Sequence, residues 1–349
     1  MFVKDLYCIS PQHTIDENFF ERNTISYQGN KYVSVEPDYA DLIHFGLLRR
    51  MGRAVRIGIG TGMPLLKRNP NVDGIIIGSA NGGLEDVIKF LNQILKYEEG
   101  NLTPTNFIQS TPNSVAGNLA IMSQNNKYNL THVHKGLAFE NALLDAKLLL
   151  EEGSAKSVLA GNIEEISDYN YNIDFLAGLY KKEEVNSESL LHSNTIGTVC
   201  GEGSAMFILD SESSGSKVEI KDIDQICFPS QSDISDKIKI FLKRNNLSVS
   251  DIDALMLGLN GDSRTDDYYH HIVKELFPAT GIFSYKNIVG EYPTSSAFAT
   301  WFSSHLLQNY KAPQSTIYKS TKRDIKNILI YNHYEGTQHG FILMNNLGL

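Results

Sequence analysis

The sequence predicts an α/β protein built on a largely buried sheet. Two observations carry that prediction: short apolar runs alternate with helical patterns throughout, and the second half repeats the style of the first. "VDGIIIGSA" (72–80) reads as a buried strand, then a turn at Asn81-Gly82-Gly83 and a helix, "LEDVIKFLNQILKYEEG". "NLTHVH" is the next strand, at about Asn129 to Lys135. It is followed by "LAFENALLDAKLLLEEG", a helix apolar on most faces. "AKSVLAGN" and "GEGSAMFILD" are further strands, and the Ser-rich "LDSESSGSK" (209–217) connects the halves. In the second half, "DIDALMLGLNG" is a strand ending in a turn and "DDYYHHIVKELFP" a helix stopped at proline. "SSAFATWFSSHLLQNY" is an apolar helix, and "KNILIYNHYEGTQHGFILMNN" closes the chain as a hairpin. The expected organisation is one compact unit of two halves, 1–212 and 213–349.

Bulk composition narrows the function classes. At 349 residues the chain can bury a large core, and a net charge of −9 argues against nucleic acid or an anionic membrane as partner. Cys8, Cys200 and Cys227 match no metal spacing, no apolar run approaches a membrane span, and no secretory h-region opens the chain. A cytoplasmic setting is expected.

Local motifs give weak signals. "GIGTG" (58–62) and "GSANGG" (78–83) resemble phosphate loops, but neither is G-x-G-x-x-G, and no acidic residue ends a following strand at the required distance. No cofactor is expected. His132 and His134, at i and i+2 on a strand, face one side and could hold two ligands of a metal ion, yet no third ligand is visible nearby. Packing or hydrogen bonding is the expected role, with no metal. "YYHH" (268–271) reads as a surface feature, and Cys200 as a small buried residue at a strand start.

Seven stretches, in order from about residue 45 to the C-terminus, resemble the β-ketoacyl-acyl carrier protein synthases. They are "LLRRMGRAVRIGI", "GIIIGSANGGLEDVIKFLNQIL", "FIQSTPNSVAGNLAIM", "EEGSAKSVLAGNIEEIS", "GTVCGEGSAMFIL", "SYKNIVGEYPTSSAFATWFSSHLL" and "IYNHYEGTQHGFIL". The resemblance implies a thiolase-like fold, two similar βαβαβ-type halves forming a five-layered αβαβα core. It also implies a nucleophilic cysteine on a strand-to-helix elbow, backbone N–H groups as an oxyanion hole, and two histidines that stabilise the carbanion left by decarboxylation.

Carried over position by position, the nucleophile falls on Gly136, the first histidine on Asn260 and the second on Glu291, while Lys286 keeps the family's lysine. The gating loop becomes Glu335-Gly336-Thr337-Gln338 in the closing hairpin, with His333 just before it. Glycine forms no acyl-enzyme, and its lack of a Cβ suits the strained backbone of an elbow. A carboxylate at 291 about 4 Å from a malonyl carboxylate would cost on the order of 4 kcal/mol at an effective dielectric of 20. Glu291 is expected to pair with Lys286 instead.

The resemblance therefore implies a degenerate synthase of chain-length-factor type, lacking the catalytic Cys and His residues. Such a subunit pairs with an active β-ketoacyl synthase and works with an acyl carrier protein in type II fatty acid or polyketide (aryl-polyene-like) biosynthesis. The strand leading into the elbow would pair with its partner's copy, which places His132 and His134 at or beside a subunit interface. Two alternatives stand beside it. One is an acyl-thioester transferase or hydrolase rewired around Glu291, Asn260, Lys286, His333 and His339, with Glu291 as general base if desolvation raises its pKa. The other is a homodimeric acyl-binding protein.

Overall fold

A computed structural model describes residues 1–16, 18–102, 104–213, 215–321 and 323–348; for Asn18 only the backbone is described. Ten strands form two groups of five. The first group is β1 (Phe2–Ile9), β3 (Gly74–Gly78), β4 (Tyr128–His132), β5 (Ser157–Asn162) and β7 (Ser204–Asp210). The second is β8 (Val218–Cys227), β9 (Ala254–Leu257), β10 (Gly281–Ser284), β12 (Asn327–Tyr334) and β13 (Gln338–Asn346). Two short strands, β2 (Lys31–Tyr32) and β6 (Cys200–Gly201), pair separately, and β11 (Ile317–Lys319) extends the β10 edge.

In space the first group runs β4-β3-β5-β7-β1 and the second β10-β9-β12-β13-β8. If each group is numbered by chain order, both read 3-2-4-5-1, so the halves share one topology. They meet where β1 touches β8, through Phe2 and Glu219.

Side-chain alternation turns these sheets into layers. On β3, Ile75 and Ile77 face the helices Arg53–Arg68 and Ser114–Ser123, while Ile76 faces the helix Ala138–Glu151. On β12, Leu329 and Tyr331 face the helices Gln231–Arg244 and Asp267–Glu275, while Ile328 and Ile330 face the helix Ser296–Leu307. The helices Ala138–Glu151 and Ser296–Leu307 thus lie between the two sheets and touch strands of both. Every residue of Ser296–Leu307 is buried, as a helix apolar on all sides requires. The stacking is the αβαβα arrangement expected from the sequence.

Two expectations change, and one weak signal finds its explanation. "GIGTG" is not a loop: it lies inside the helix Arg53–Arg68, where a Cβ on Gly58 or Gly62 would meet Val115 or Leu119 at 2.4 and 2.7 Å. Its glycines permit close helix packing. Strand β4 ends at His132, three residues short of the expected Lys135, because the chain turns into the elbow there. Within "YYHH", Tyr269 is fully buried, stacks on the His333 ring at 4.4 Å between centroids and accepts the His333 N–H at 2.9 Å. No helix among the described residues is long and apolar enough to cross a membrane.

Candidate functional site

After β4 the backbone enters a 3-10 turn, Lys135–Leu137, that opens the helix Ala138–Glu151. The left-handed residue of this elbow is Lys135, at φ +46°, and not Gly136. The expectation that glycine relieves a strained backbone at 136 is therefore corrected. What position 136 lacks is room. A Cβ there would lie 2.2 Å from Tyr334 Cβ and 2.9 Å from Tyr334 Cγ. Ordinary carbon contacts begin near ~3.5 Å, so Tyr334 occupies the volume a nucleophilic side chain would need. The Gly136 N–H is also engaged, donating to Gln338 Oε1 at 2.9 Å. Both blocking groups come from the closing hairpin, whose turn has Glu335 at φ +52° and Gly336 at +63°.

Asn260, Lys286 and Glu291 converge as a buried polar cluster. Lys286 Nζ and Asn260 Nδ2 each donate to Glu291 Oε2 at 2.7 Å, so the expected Lys286–Glu291 pair is present. Lys286 also donates to the His333 carbonyl at 3.2 Å, while Glu291 Oε1 has no partner among the described residues. Burial pushes the Glu291 carboxyl upward, opposed by the adjacent ammonium and the amide of Asn260. A second carboxyl, Asp266, accepts the backbone N–H groups of Asn260 and Gly261 at 3.1 and 2.8 Å. Burial raises it to about 7.

Above this cluster opens a cavity of about 280 Å³ that includes Asn260, Glu291, Tyr334 and Glu335 in its lining. Tyr334 stands between that cavity and the elbow. Cys200 also borders it, but burial lifts its thiol to about 12, so no thiolate is available near neutral pH. Further carboxylates come from Glu164, Glu165, Asp174 and Asp262. Glu164 accepts the Ala80 N–H at 2.6 Å and the Thr294 hydroxyl at 3.1 Å, and burial pushes it to about 8.

Of the expected gate, only Glu335 borders the cavity; Gly336, Thr337, Gln338 and His333 do not. His333 Nε2 lies 3.1 Å from the Thr265 carbonyl, and His339 Nδ1 lies 2.9 Å from the Tyr331 hydroxyl. Burial holds His333 well below the usual histidine range and His339 at about 4, which leaves both neutral packing groups. His132 Nε2 pairs with Asp145 at 3.0 Å, whereas His134 Nδ1 bonds Asn141 at 2.8 Å. The two rings have separate partners, and no metal-ligand group was found among the described residues. Sequence reasoning missed Tyr334, for which only its place before the gate would have been a signal.

These features can be compared with known proteins. Residues 29–175 match the family described as "Beta-ketoacyl synthase, N-terminal domain". Comparison with curated protein sequences gives no match. Among solved structures, a β-ketoacyl synthase from Burkholderia phymatum superposes with a TM-score of 0.81 at 14% identity, over 99% of both chains. The fold is that of the ketosynthases. "The ishigamide ketosynthase/chain length factor" follows at 0.79 and 13%, again over 99% of both chains. A ketosynthase in complex with its chain length factor from Xenorhabdus doucetiae gives 0.78 and 12%, over 99% of this chain and 97% of that one. At such identities the likeness speaks for the fold. The strand-to-helix elbow thus lies between β4 and its helix, with the space beside Gly136 filled by Tyr334 and its N–H taken by Gln338.

Proposed function

We propose that this chain is a non-condensing, chain-length-factor-like subunit that pairs with an active ketosynthase and serves acyl chains carried by an acyl carrier protein. The observation that carries the reading is the elbow. Tyr334 fills the nucleophile's volume, and Gln338 takes the backbone N–H that would polarise a thioester carbonyl. Glu291 is held through Oε2 by Lys286 and Asn260, a paired carboxylate where the family's second histidine would stand. Structures similar in fold include ketosynthase–chain length factor complexes and a type II polyketide ketosynthase with its acyl carrier protein, which supports the choice of partners. The chain would act as one unit with halves 1–212 and 213–349.

The surface that would meet the partner is the outer edge of β4. This strand pairs only with β3 among the described strands; Tyr128 and Leu130 are exposed along it, and Val133 just after its end. An edge of that kind invites a second strand. His132 and His134 would lie at or beside that contact, holding Asp145 and Asn141. Co-expression with intact ketosynthases encoded beside the gene tests the reading. A stoichiometric complex with altered product length is expected; recovery of the chain alone, with product length unchanged for every candidate, sinks it.

A further inference from the structure

Glu140 stands one helical turn beyond Gly136, in the helix Ala138–Glu151 that lies between the two sheets. It is 1% exposed, and neither carboxyl oxygen has a hydrogen-bond partner among the described residues. Its side chain is seated on the closing hairpin: a Cβ at Gly340 would lie 2.5 Å from Oε1 and 2.8 Å from Cδ. Gly340 follows Gln338, which takes the Gly136 N–H, by two residues, and it pairs with Asn332, two residues before Tyr334. The elbow and its cover thus touch twice, at Gly136 through the two blocking groups and one turn later at Glu140. A protonated carboxyl can be buried here at far smaller cost than a carboxylate. With no donor to receive it, a carboxylate is hydrated only if the hairpin parts from the helix.

The charged groups around this carboxyl are already engaged or turned away. Strands β3 and β5 bring no titratable side chain to the helix, and Lys135 of the elbow is exposed. Tyr128 and His132 of β4 are bound to Asp145, Asp222 of β8 to Lys147, and Asp224 to Lys237 and Arg244. Glu219, Lys221 and Cys227 stand two or more residues from Gln225, the β8 partner of Gly340. His339 lies on the other face of β13, His305 sits nine residues along its helix from Ser296, and the Tyr285 hydroxyl donates to Asn332 at 3.0 Å. Lys286 is the facing cation, and it is held by Glu291 at 2.7 Å. We propose that Glu140 is a proton-operated latch on the elbow: carrying its proton it lets the hairpin lie against the helix, and on losing it drives Tyr334 and Gln338 away from Gly136. Burial raises this carboxyl from 4.5 to about 7, opposed by the Ser296 hydroxyl and the Lys286 ammonium. The closed state therefore keeps a proton that an opened, hydrated Glu140 releases, and closure weakens as pH rises from about 4.5 to about 7. The latch does not depend on the subunit reading.

Amide hydrogen exchange of the purified full chain, corrected for the intrinsic chemical rate at each pH, tests the latch. The peptides read are those spanning 129–143 and 330–342, with the helix Gln231–Arg244 as internal reference. Relative to that helix, protection of both is expected to fall tenfold or more between pH 5 and pH 7.5. In Glu140→Gln, neutral throughout, the fall is expected to stay under threefold; Glu140→Met takes its place if that variant does not fold. Protection that does not change with pH, or the wild-type pH dependence in every variant that folds, overturns the inference.

Discussion

Placing a cysteine at position 136 is the sharpest test of the blocked elbow. In Gly136→Cys the new Cβ would sit 2.2 Å from Tyr334 Cβ. With ordinary carbon contacts starting near ~3.5 Å, Tyr334 must retreat by more than about 1 Å. Overpacking of this kind costs about 1–3 kcal/mol. At roughly 2.1 cal/mol/K of unfolding entropy per residue, the 349-residue chain loses about 1.4 °C of Tm per kcal/mol, so a fall of about 1–4 °C is expected by calorimetry. The thiol should also be idle. The Gly136 N–H still donates to Gln338 Oε1, and losing one such donor to a reacting oxyanion lowers rates about 10²–10³-fold. Intact-mass measurement after incubation with an acyl-N-acetylcysteamine thioester should show no adduct. The double variant Gly136→Cys/Tyr334→Ala relieves the overlap, though not the loss of the buried tyrosine, so thiol alkylation by iodoacetamide is its readout and should be faster than in the single variant. A single variant with wild-type Tm that acylates readily would refute the blocked-elbow reasoning.

Three further outcomes follow from named contacts. Glu291→Gln leaves Lys286, which has no exposed side-chain surface, as a buried charge with a weaker partner; removing one member of a buried pair costs about 3–5 kcal/mol, read by denaturant titration. The double replacement Lys286→Met/Glu291→Gln should lose less than the two single changes together, and strict additivity would contradict the coupling. Glu164, raised from 4.5 to about 8, keeps a proton when folded that the unfolded chain has released, so between those values its contribution to stability falls as pH rises. Thermal scans of Glu164→Gln should therefore fall less steeply from pH 6.5 to 8.5 than wild type, by up to about 1.4 kcal/mol per pH unit at 25 °C. An unchanged slope would remove Glu164 as the cause. Val133→Asp, at a position 49% exposed just past the end of β4, should abolish association with the proposed ketosynthase partner in size-exclusion runs while moving Tm by less than about 1 °C. Retained association would place the interface elsewhere.

Much of the fold was legible in the chain because period-two alternation and glycine turns are local signals. "GIIIG" is buried on both faces, and the paired apolar runs of the closing hairpin align from Asn327–Asn345 to Tyr334–Gln338. Strands β1 and β8 were passed over. "VEIKDIDQIC" does alternate, but its acidic and basic residues mask a strand that β13 and β1 flank. The helix Gln231–Arg244 was overlooked too, although Ser230 and Asp233 form a capping box before it.

The sequence alone determined that position 136 carries no nucleophile and that a lysine and a carboxylate stand five residues apart at 286 and 291, since residue identity and short spacing need no fold to be read. Tertiary structure alone decided what packs into the elbow. Gln338 reaches the Gly136 N–H across 202 positions of chain, and Tyr334 enters the same space from the end of β12. No local pattern encodes such a contact, because it exists only where the closing hairpin of one half packs against the elbow of the other.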